Sequence, residues 1–532
     1  MLSRYPKIMI TAVLVLLTRL TAGFQPFSSI CLWRQRYGIT KLCLTSMINY
    51  SYRENIQIFP NGRILFAESW KITLRFLQPD TEIRRDMILN GSISKTILFL
   101  SIPTLMMGIV QSIIPVVDGL FINNIAGTVA GSAVAYSGPI VNMMGALAQG
   151  LSAAGMAIIG QTNGRGDFEE AKRVSAQVMI FAFLLGIITA PLLILLAFPI
   201  SWNVNADISH DVLVYTALNA LVIPFAFLES IYNAIKSAAG KPEAAFIRMV
   251  LMLILKIITN TVFIAIFRWD IVGAVMASLL SNILICIWMY YELFLKESKD
   301  RLEIKGFHFD FTIIRELFRI GIPSMLSNLI LNLGFFLINI EVAKYGTVVL
   351  SGQGIANNIT SACFILPSSF GSSVTTMVSM NIGAGQSEKA KQSCTVGCII
   401  SAITAVILIA VVVPLSSHIT LWFTRQQDVL DVANKALHIY TYSVVGFGIC
   451  MVQQGAFIGL GRTRIPLFAS ILRVWLLRYL FILATERMLG PYSVFWGNLF
   501  SNYAAAVITT VLILRTEWVS EIPQRAVVLK RH

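Results

Sequence analysis

From about residue 93 to residue 514 the chain alternates apolar stretches of some 20 residues with short breaks rich in Gly, Pro, Asn and charge. A bilayer core about 30 Å thick needs about 20 apolar residues in a helix, so each stretch predicts one membrane span. Twelve are predicted, near 94–122, 132–160, 172–198, 211–238, 246–267, 271–295, 313–342, 349–380, 393–416, 434–459, 465–486 and 492–514. The pattern predicts no strands, and the fold class is an all-α polytopic membrane protein. Residues 1–86 break the rhythm. They hold no acid before Glu54, and their apolar run Ile8–Leu17 is too short to span. This segment reads as a targeting sequence, a cytosolic extension or untranslated upstream sequence, with a start near Met87 favoured and no stable structure expected up to about residue 85.

The same pattern repeats. GQTNGRGDFEEAKR (160–173) after the second span answers MNIGAGQSEKAKQ (380–392) after the eighth. Ile102-Pro103 answers Ile322-Pro323, and Ala239-Gly240-Lys241 answers Leu460-Gly461-Arg462, with offsets of 219 to 221 residues throughout. Six spans lie between the copies, so both enter the membrane in the same direction, an arrangement used by transporters with the solute path between the halves. The expected organisation is a first lobe at 87–300, a second at 301–518 and a tail at 519–532.

Composition agrees: 56% of the 532 residues are hydrophobic and 13% charged, against about 25% charged in soluble proteins. The net charge of +14 could suggest nucleic acid, but its distribution excludes that. Sixteen Lys and Arg fall at alternate breaks on one side (Arg165 to Arg173, Lys236 to Arg248, Lys296 to Arg319, Lys389 to Lys391, Arg462 to Arg464). Five fall on the other (Arg268, Lys344, Arg425, Lys435, Arg487). The bias orients the chain in a cell membrane with both termini cytoplasmic. No GxSxG, HExxH, Walker or dinucleotide motif is present, so an enzyme is not expected, and neither a metal site nor a cofactor.

Charges inside spans are costly and call for a reason. Asp118 in span 1 shares a face with Gln111, and Pro115 between them frees a carbonyl and marks a hinge. Lys256 and Asn260 in span 5 share a face, as do Glu229 and Asn233 in span 4, which could line a cavity or bridge span 4 to span 5. For Lys256 the available carboxylates are Asp118 and Glu229. Arg473 and Arg478 lie deep in span 11. Gln453 and Gln454 in span 10 could line a solute path or bridge helices.

Pro103 with VVDGLFI (116–122) after it, the two glycine-rich signatures and the closing GLGRTR (459–464) resemble the MATE (multidrug and toxic compound extrusion) transporters over roughly 87–516. The resemblance implies two pseudo-symmetric six-helix lobes in a V and export of amphipathic organic cations driven by proton or sodium entry. It places Asp118 at the acidic position of span 1. LKIITNTVFI (255–264) stands where the family commonly has a pattern like LNIILDPLFI, so Lys256 replaces an asparagine and Asn260 an aspartate of the cation site, with Ser278 matching a threonine of span 6. Leu331 replaces an acid used by another branch, so a second cation site in the C-terminal lobe is not expected.

The expected coupling group is therefore Asp118, Lys256, Asn260 and Ser278, hinged at Pro115. Gln111, Glu229, Asn233, Gln453 and Gln454 are expected along the solute path. Lys256 would take the place of a bound sodium ion and pair with Asp118 until a proton breaks the pair, the alternative being a static pair. The expected partners are a small-molecule substrate and the lipid bilayer, with no nucleic acid and a monomeric state. A lipid-linked precursor flippase and a non-transporting receptor are the other readings.

Overall fold

The computed structural model describes residues 80–202, 204, 206–296, 298–302 and 309–522. After a short helix α1 (Thr81–Asn90), helices follow at every predicted span. The first six spans are α2 (Ile93–Phe121), α3 (Thr128–Arg165), α4 (Phe168–Trp202), the pair α5 (Ala206–Asn219) and α6 (Ile223–Ala238), α7 (Pro242–Asn260) and α8 (Asp270–Tyr290). The second six are α9 (Phe311–Ala343), α10 (Thr347–Gly383), α11 (Ser387–Thr420), the pair α12 (Gln427–Tyr442) and α13 (Val444–Gly459), the pair α14 (Arg464–Ile471) and α15 (Tyr479–Leu489), and α16 (Tyr492–Leu514).

Among the described residues nine helical segments are individually long and apolar enough to cross a membrane. The pairs α5–α6 and α12–α13, bent by 49° and 42°, make eleven. The repeat makes these two bends equivalent, spans 4 and 10. In the first, Pro224 stands at the start of α6 and cannot donate back to the preceding turn. The twelfth rod, α10, is 37 residues long but more polar, because most of it is enclosed by protein rather than lipid. Its hydroxyls bond internally, as Thr375 does to the carbonyls of Gly371 and Gly455. A Cβ on Gly455 would stand 2.2 Å from the Gly371 oxygen, so α13 can approach α10 this closely only with glycine there.

The hydrophobic cores do not follow the lobes. Ile97 and Leu100 of α2 pack with Phe370, Val374 and Phe457 of the second lobe. Ile313, Leu317 and Ile320 of α9 pack with Leu151, Val178 and Ile231 of the first. Each lobe thus lends the basic half of its first helix to the other. The two glycine signatures meet at this seam. A Cβ on Gly164 would lie 2.1 Å from the Met380 oxygen, and one on Gly383 would lie 2.0 Å from the Gln161 oxygen. The Gln161 amide donates to the Gly459 carbonyl at 2.9 Å and accepts from the Ser520 hydroxyl at 2.5 Å. The lobes are therefore closed at the end that carries the basic breaks. Gly164→Val is expected to pry this end apart, read as raised labelling of a cysteine introduced at Ser379 by a water-soluble maleimide. Labelling at the wild-type level would contradict the tight approach.

Two readings of the sequence need correction here. Residues 81–86 are ordered in α1, which a boundary at 86 would cut. Arg84, 2% exposed, pairs with Glu243 at 2.6 Å, and Arg85 donates to the Gly164 carbonyl at 2.8 and 2.9 Å. The rest of the N-terminal segment lies outside the described residues. Arg248 also differs from its reading as a charge in a break. It lies in the second turn of α7, 1% exposed. Other basic residues of the breaks are paired as well, among them Lys236 with Glu292 at 2.7 Å and Lys241 with Asp300.

Candidate functional site

Three ion pairs of the first lobe involve α7, and two of them, through Arg248 and Lys256, lie beyond the Arg84–Glu243 pair at its first turn. Eight residues apart, Arg248 and Lys256 stand about 12 Å apart by helical rise and on roughly one face. Lys256 donates to Asp118 Oδ2 at 2.8 Å and to the Ser278 hydroxyl at 2.6 Å, while Asn260 Nδ2 donates to Asp118 Oδ1 at 2.7 Å. All four residues of the expected coupling group thus lie in one hydrogen-bonded set. The Ser278 hydroxyl donates a hydrogen bond to the Ala274 carbonyl at 2.9 Å, which leaves its oxygen free to accept from Lys256. Each carboxylate oxygen has one donor, and the ammonium faces one charge and one hydroxyl.

Burial is uneven. Lys256 and Asn260 are 5% and 1% exposed, whereas the Asp118 side chain keeps 26% of its surface open. The carboxylate is therefore the reachable member of the pair, and the ammonium the enclosed one. Local helix geometry frames the set. α7 changes to π-helical winding at Thr261–Ile266, just after Asn260, and α2 does so at Ile122–Ala126, just after Asp118. Such π turns recur at functional sites because they widen the helix and shift its facing residues. α2 itself runs unbroken through Pro103 and Pro115, and Gln111 and Pro115 are exposed on it.

Glu229 went to a different partner from those the sequence offered. Arg248 Nη1 meets Glu229 Oε2 at 2.5 Å, and Arg248 Nε donates to Asn233 Oδ1 at 3.1 Å. Glu229 and Asn233 do share a face, but it is turned to α7 and ties span 4 to span 5. The bridge between spans 4 and 5 was the alternative open in the sequence, but its partner was missed because Arg248 sits near the predicted start of its span. Its signal was the two-turn spacing from Lys256. Tyr215 of α5, also missed, stands within electrostatic reach of Asp118.

The expectation that Gln453 and Gln454 line a solute path is corrected. Gln453 faces α16, where its amide donates to the Thr510 hydroxyl at 2.7 Å and accepts from Thr509. Gln454 bonds Cys450 on its own helix at 3.2 Å, and both glutamines are buried. In an apolar surround such residues bridge helices. Gln453→Leu is expected to lower the thermal midpoint, since it removes two hydrogen bonds between α13 and α16, each worth about 0.5–1.5 kcal/mol, without changing which solutes are exported. A changed solute profile in a stable variant would return Gln453 to the path.

The fold and the buried charge set define an integral membrane protein of transporter architecture, two six-span repeats with ionisable residues inside the spans. A family model, MatE, matches residues 103–262 and 323–483, more than half of the chain, and the protein belongs to that family. It is 23% identical over 389 residues to the Probable multidrug resistance protein YoeA of Bacillus subtilis, covering 71% of this chain and 83% of that one. It is 21% identical over 433 residues to the Multidrug export protein MepA of Staphylococcus aureus strain MRSA252, covering 80% and 94%. Among solved structures, the outward-facing conformation of a multidrug resistance MATE family transporter of the MOP superfamily superposes with a TM-score of 0.76 at 22% identity. That match covers 81% of this chain and 97% of the other. A MATE in complex with MaL6 gives the same values. The fold is that of the MATE transporters.

Proposed function

We propose that the protein is a secondary antiporter that exports amphipathic organic cations or other toxic solutes across the plasma membrane in exchange for protons, by alternating access. The observation that carries this reading is the Asp118–Lys256 pair with Asn260 and Ser278 around it. A sodium ion would need several oxygen ligands, and the Lys256 ammonium occupies the space among Asp118 and Ser278 where they would converge. A proton needs only one carboxylate, and Asp118 is the partly open member of the pair.

Protonation of Asp118 removes the counter-charge of Lys256. The ammonium is then left with neutral acceptors only, which favours release of its proton or rearrangement of α2 against α7. With Pro115 one turn away and a π turn beyond, α2 has the means to bend there. The closed seam at the basic end corresponds to a state open away from the cytoplasm if the basic breaks are cytoplasmic. The likeness to MepA, a multidrug export protein, supports the direction of transport.

The test is ethidium efflux from proteoliposomes under separately imposed proton and sodium gradients, for wild type and Lys256→Asn. Wild type is expected to respond to the proton gradient alone, and Lys256→Asn to lose that response. Sodium-driven efflux by the wild type would overturn the proton assignment.

A further inference from the structure

Six cations are more than nine-tenths buried among the described residues: Arg84, Lys241, Arg248, Lys256, Arg473 and Arg478. Four of them hold a carboxylate, namely Arg84 with Glu243, Lys241 with Asp300, Arg248 with Glu229 and Lys256 with Asp118. Arg473 and Arg478, 4% and 6% exposed, form no ion pair among the described residues. Nη1 of Arg473 and Nε of Arg478 have no hydrogen-bond partner. The carboxylates at the adjoining helix ends are committed elsewhere, Glu341 to Lys344 at 2.6 Å and Glu486 to Tyr345 at 3.0 Å.

The two arginines are also brought together by the backbone. Five residues apart in an α-helix they would point about 140° from each other. Leu472–Arg478 is instead π-helical, where bonding from i to i+5 stacks residues five apart on nearly one face. Aromatic faces and weak acceptors surround them. Arg473 lies over the Phe447 ring at 5.4 Å and beside the Cys450 thiol. Arg478 lies over the Phe335 ring at 5.8 Å and beside the Tyr440 hydroxyl, which also accepts from Gln353 at 3.5 Å. Ring contacts compensate a desolvated guanidinium only in part.

The repeat shows what is missing. Its offset of 220 residues, which also separates the two family-model matches, sets Asp118 opposite Ile338 and Lys256 opposite Leu476, two residues before Arg478. The first lobe carries both the cation of its fifth span and the carboxylate of its first. The second lobe keeps the cations in span 11 and has buried Ile338 in span 7, packed in one core with Val474 and Tyr440.

We propose that Arg473 and Arg478 form a binding site for a carboxylate, supplied by an acidic or zwitterionic amphiphilic solute as its negatively charged end. Two guanidinium forks with Gln353 and Tyr440 beside them match a planar oxyanion, which arginine holds better than a point charge such as chloride. Phe447 and Phe335 would flank the apolar body attached to it. The naming of a transported solute rests on the exporter reading; the carboxylate site itself does not.

The experiment is thermal unfolding of the purified full chain in detergent, at constant ionic strength, with sodium benzoate, sodium chloride or tetraphenylphosphonium as probe. Benzoate is expected to raise the wild-type midpoint with a half-effect in the millimolar range, chloride to give no matching shift, and Arg473→Gln and Arg478→Gln each to weaken the benzoate effect at least tenfold. Ile338→Asp supplies the carboxylate from within. It is expected to abolish the benzoate response without loss of folding, and it carries the test if the arginine variants do not fold. No benzoate shift in the wild type, or an equal shift in Ile338→Asp, overturns the site. An equal shift from chloride overturns the carboxylate assignment. Loss of the tetraphenylphosphonium response alone would count against cation export and leave the carboxylate site standing.

Discussion

Asp118→Asn is expected to abolish proton-driven efflux while leaving a folded protein. Among the described residues the carboxylate is the one charge in contact with the Lys256 ammonium, which is 95% enclosed. Removing one member of a buried pair costs about 3–5 kcal/mol because the other is left without compensation. Here the lysine can respond by giving up its proton, which reduces that cost and fixes the site in a single charge state. An asparagine keeps one oxygen to accept from Lys256, and its amide can donate to Asn260 once the Asn260 amide is turned over, so the geometry has reason to persist. What disappears is the group that could accept a proton. The double variant Asp118→Asn/Lys256→Asn separates coupling from architecture. It removes both charges and is expected to recover most of the lost thermal stability without recovering gradient-driven efflux. Full-rate efflux by Asp118→Asn would reduce the pair to a fixed strut between α2 and α7.

The second large effect is expected at Arg248, where Arg248→Met should lower stability by about 3–5 kcal/mol through the Glu229 carboxylate it strands. Glu229 Oε1 already lacks a hydrogen-bond partner, so no spare donor stands ready to replace the guanidinium. Glu229→Leu/Arg248→Met should regain most of the loss, because two apolar side chains of similar volume suit this interface between spans 4 and 5 better than one charge. The measurement is thermal or denaturant unfolding in detergent, read as a double-mutant cycle. A loss below about 1 kcal/mol in the single variant, the range of exposed pairs, would mean that water reaches Glu229.

The two predictions differ in kind because the two pairs differ in access. Both lie on α7 and both bridge it to a neighbouring helix, but in sequence only Asp118, Lys256 and Glu229 stood as charges inside apolar stretches, Arg248 having been placed in a break. The Arg248 guanidinium is enclosed and holds an acid whose side chain is 14% exposed. Asp118 stands nearly twice as open. A proton from an aqueous pathway can reach Asp118 first, which is the reason to assign it the coupling role and to leave Glu229 a structural one.

Much of this protein was determined by one-dimensional pattern. Apolar length fixes helices, since a chain in lipid must satisfy its backbone within each segment, and a repeat offset of about 220 residues fixes two copies in the same direction. The spacing of Lys256 and Asn260 fixes their common face. Partner choice needed the tertiary structure. Lys256 had two carboxylates on offer and took Asp118, the one expected for it, but Glu229 went to an arginine that sequence reading had left at the membrane edge. Gln453, equally suited by composition to a pathway or an interface, was turned to α16 by the rotation of α13 about its own axis. The glycine signatures were legible as motifs, but their meeting across the seam was not, because close approach of two backbones is a property of pairs of helices. Arg473 and Arg478 make the same point. Five residues apart, they read as diverging on an ordinary helix. Only the π winding of span 11, settled by its packing against α9 and α16, sets them on one face.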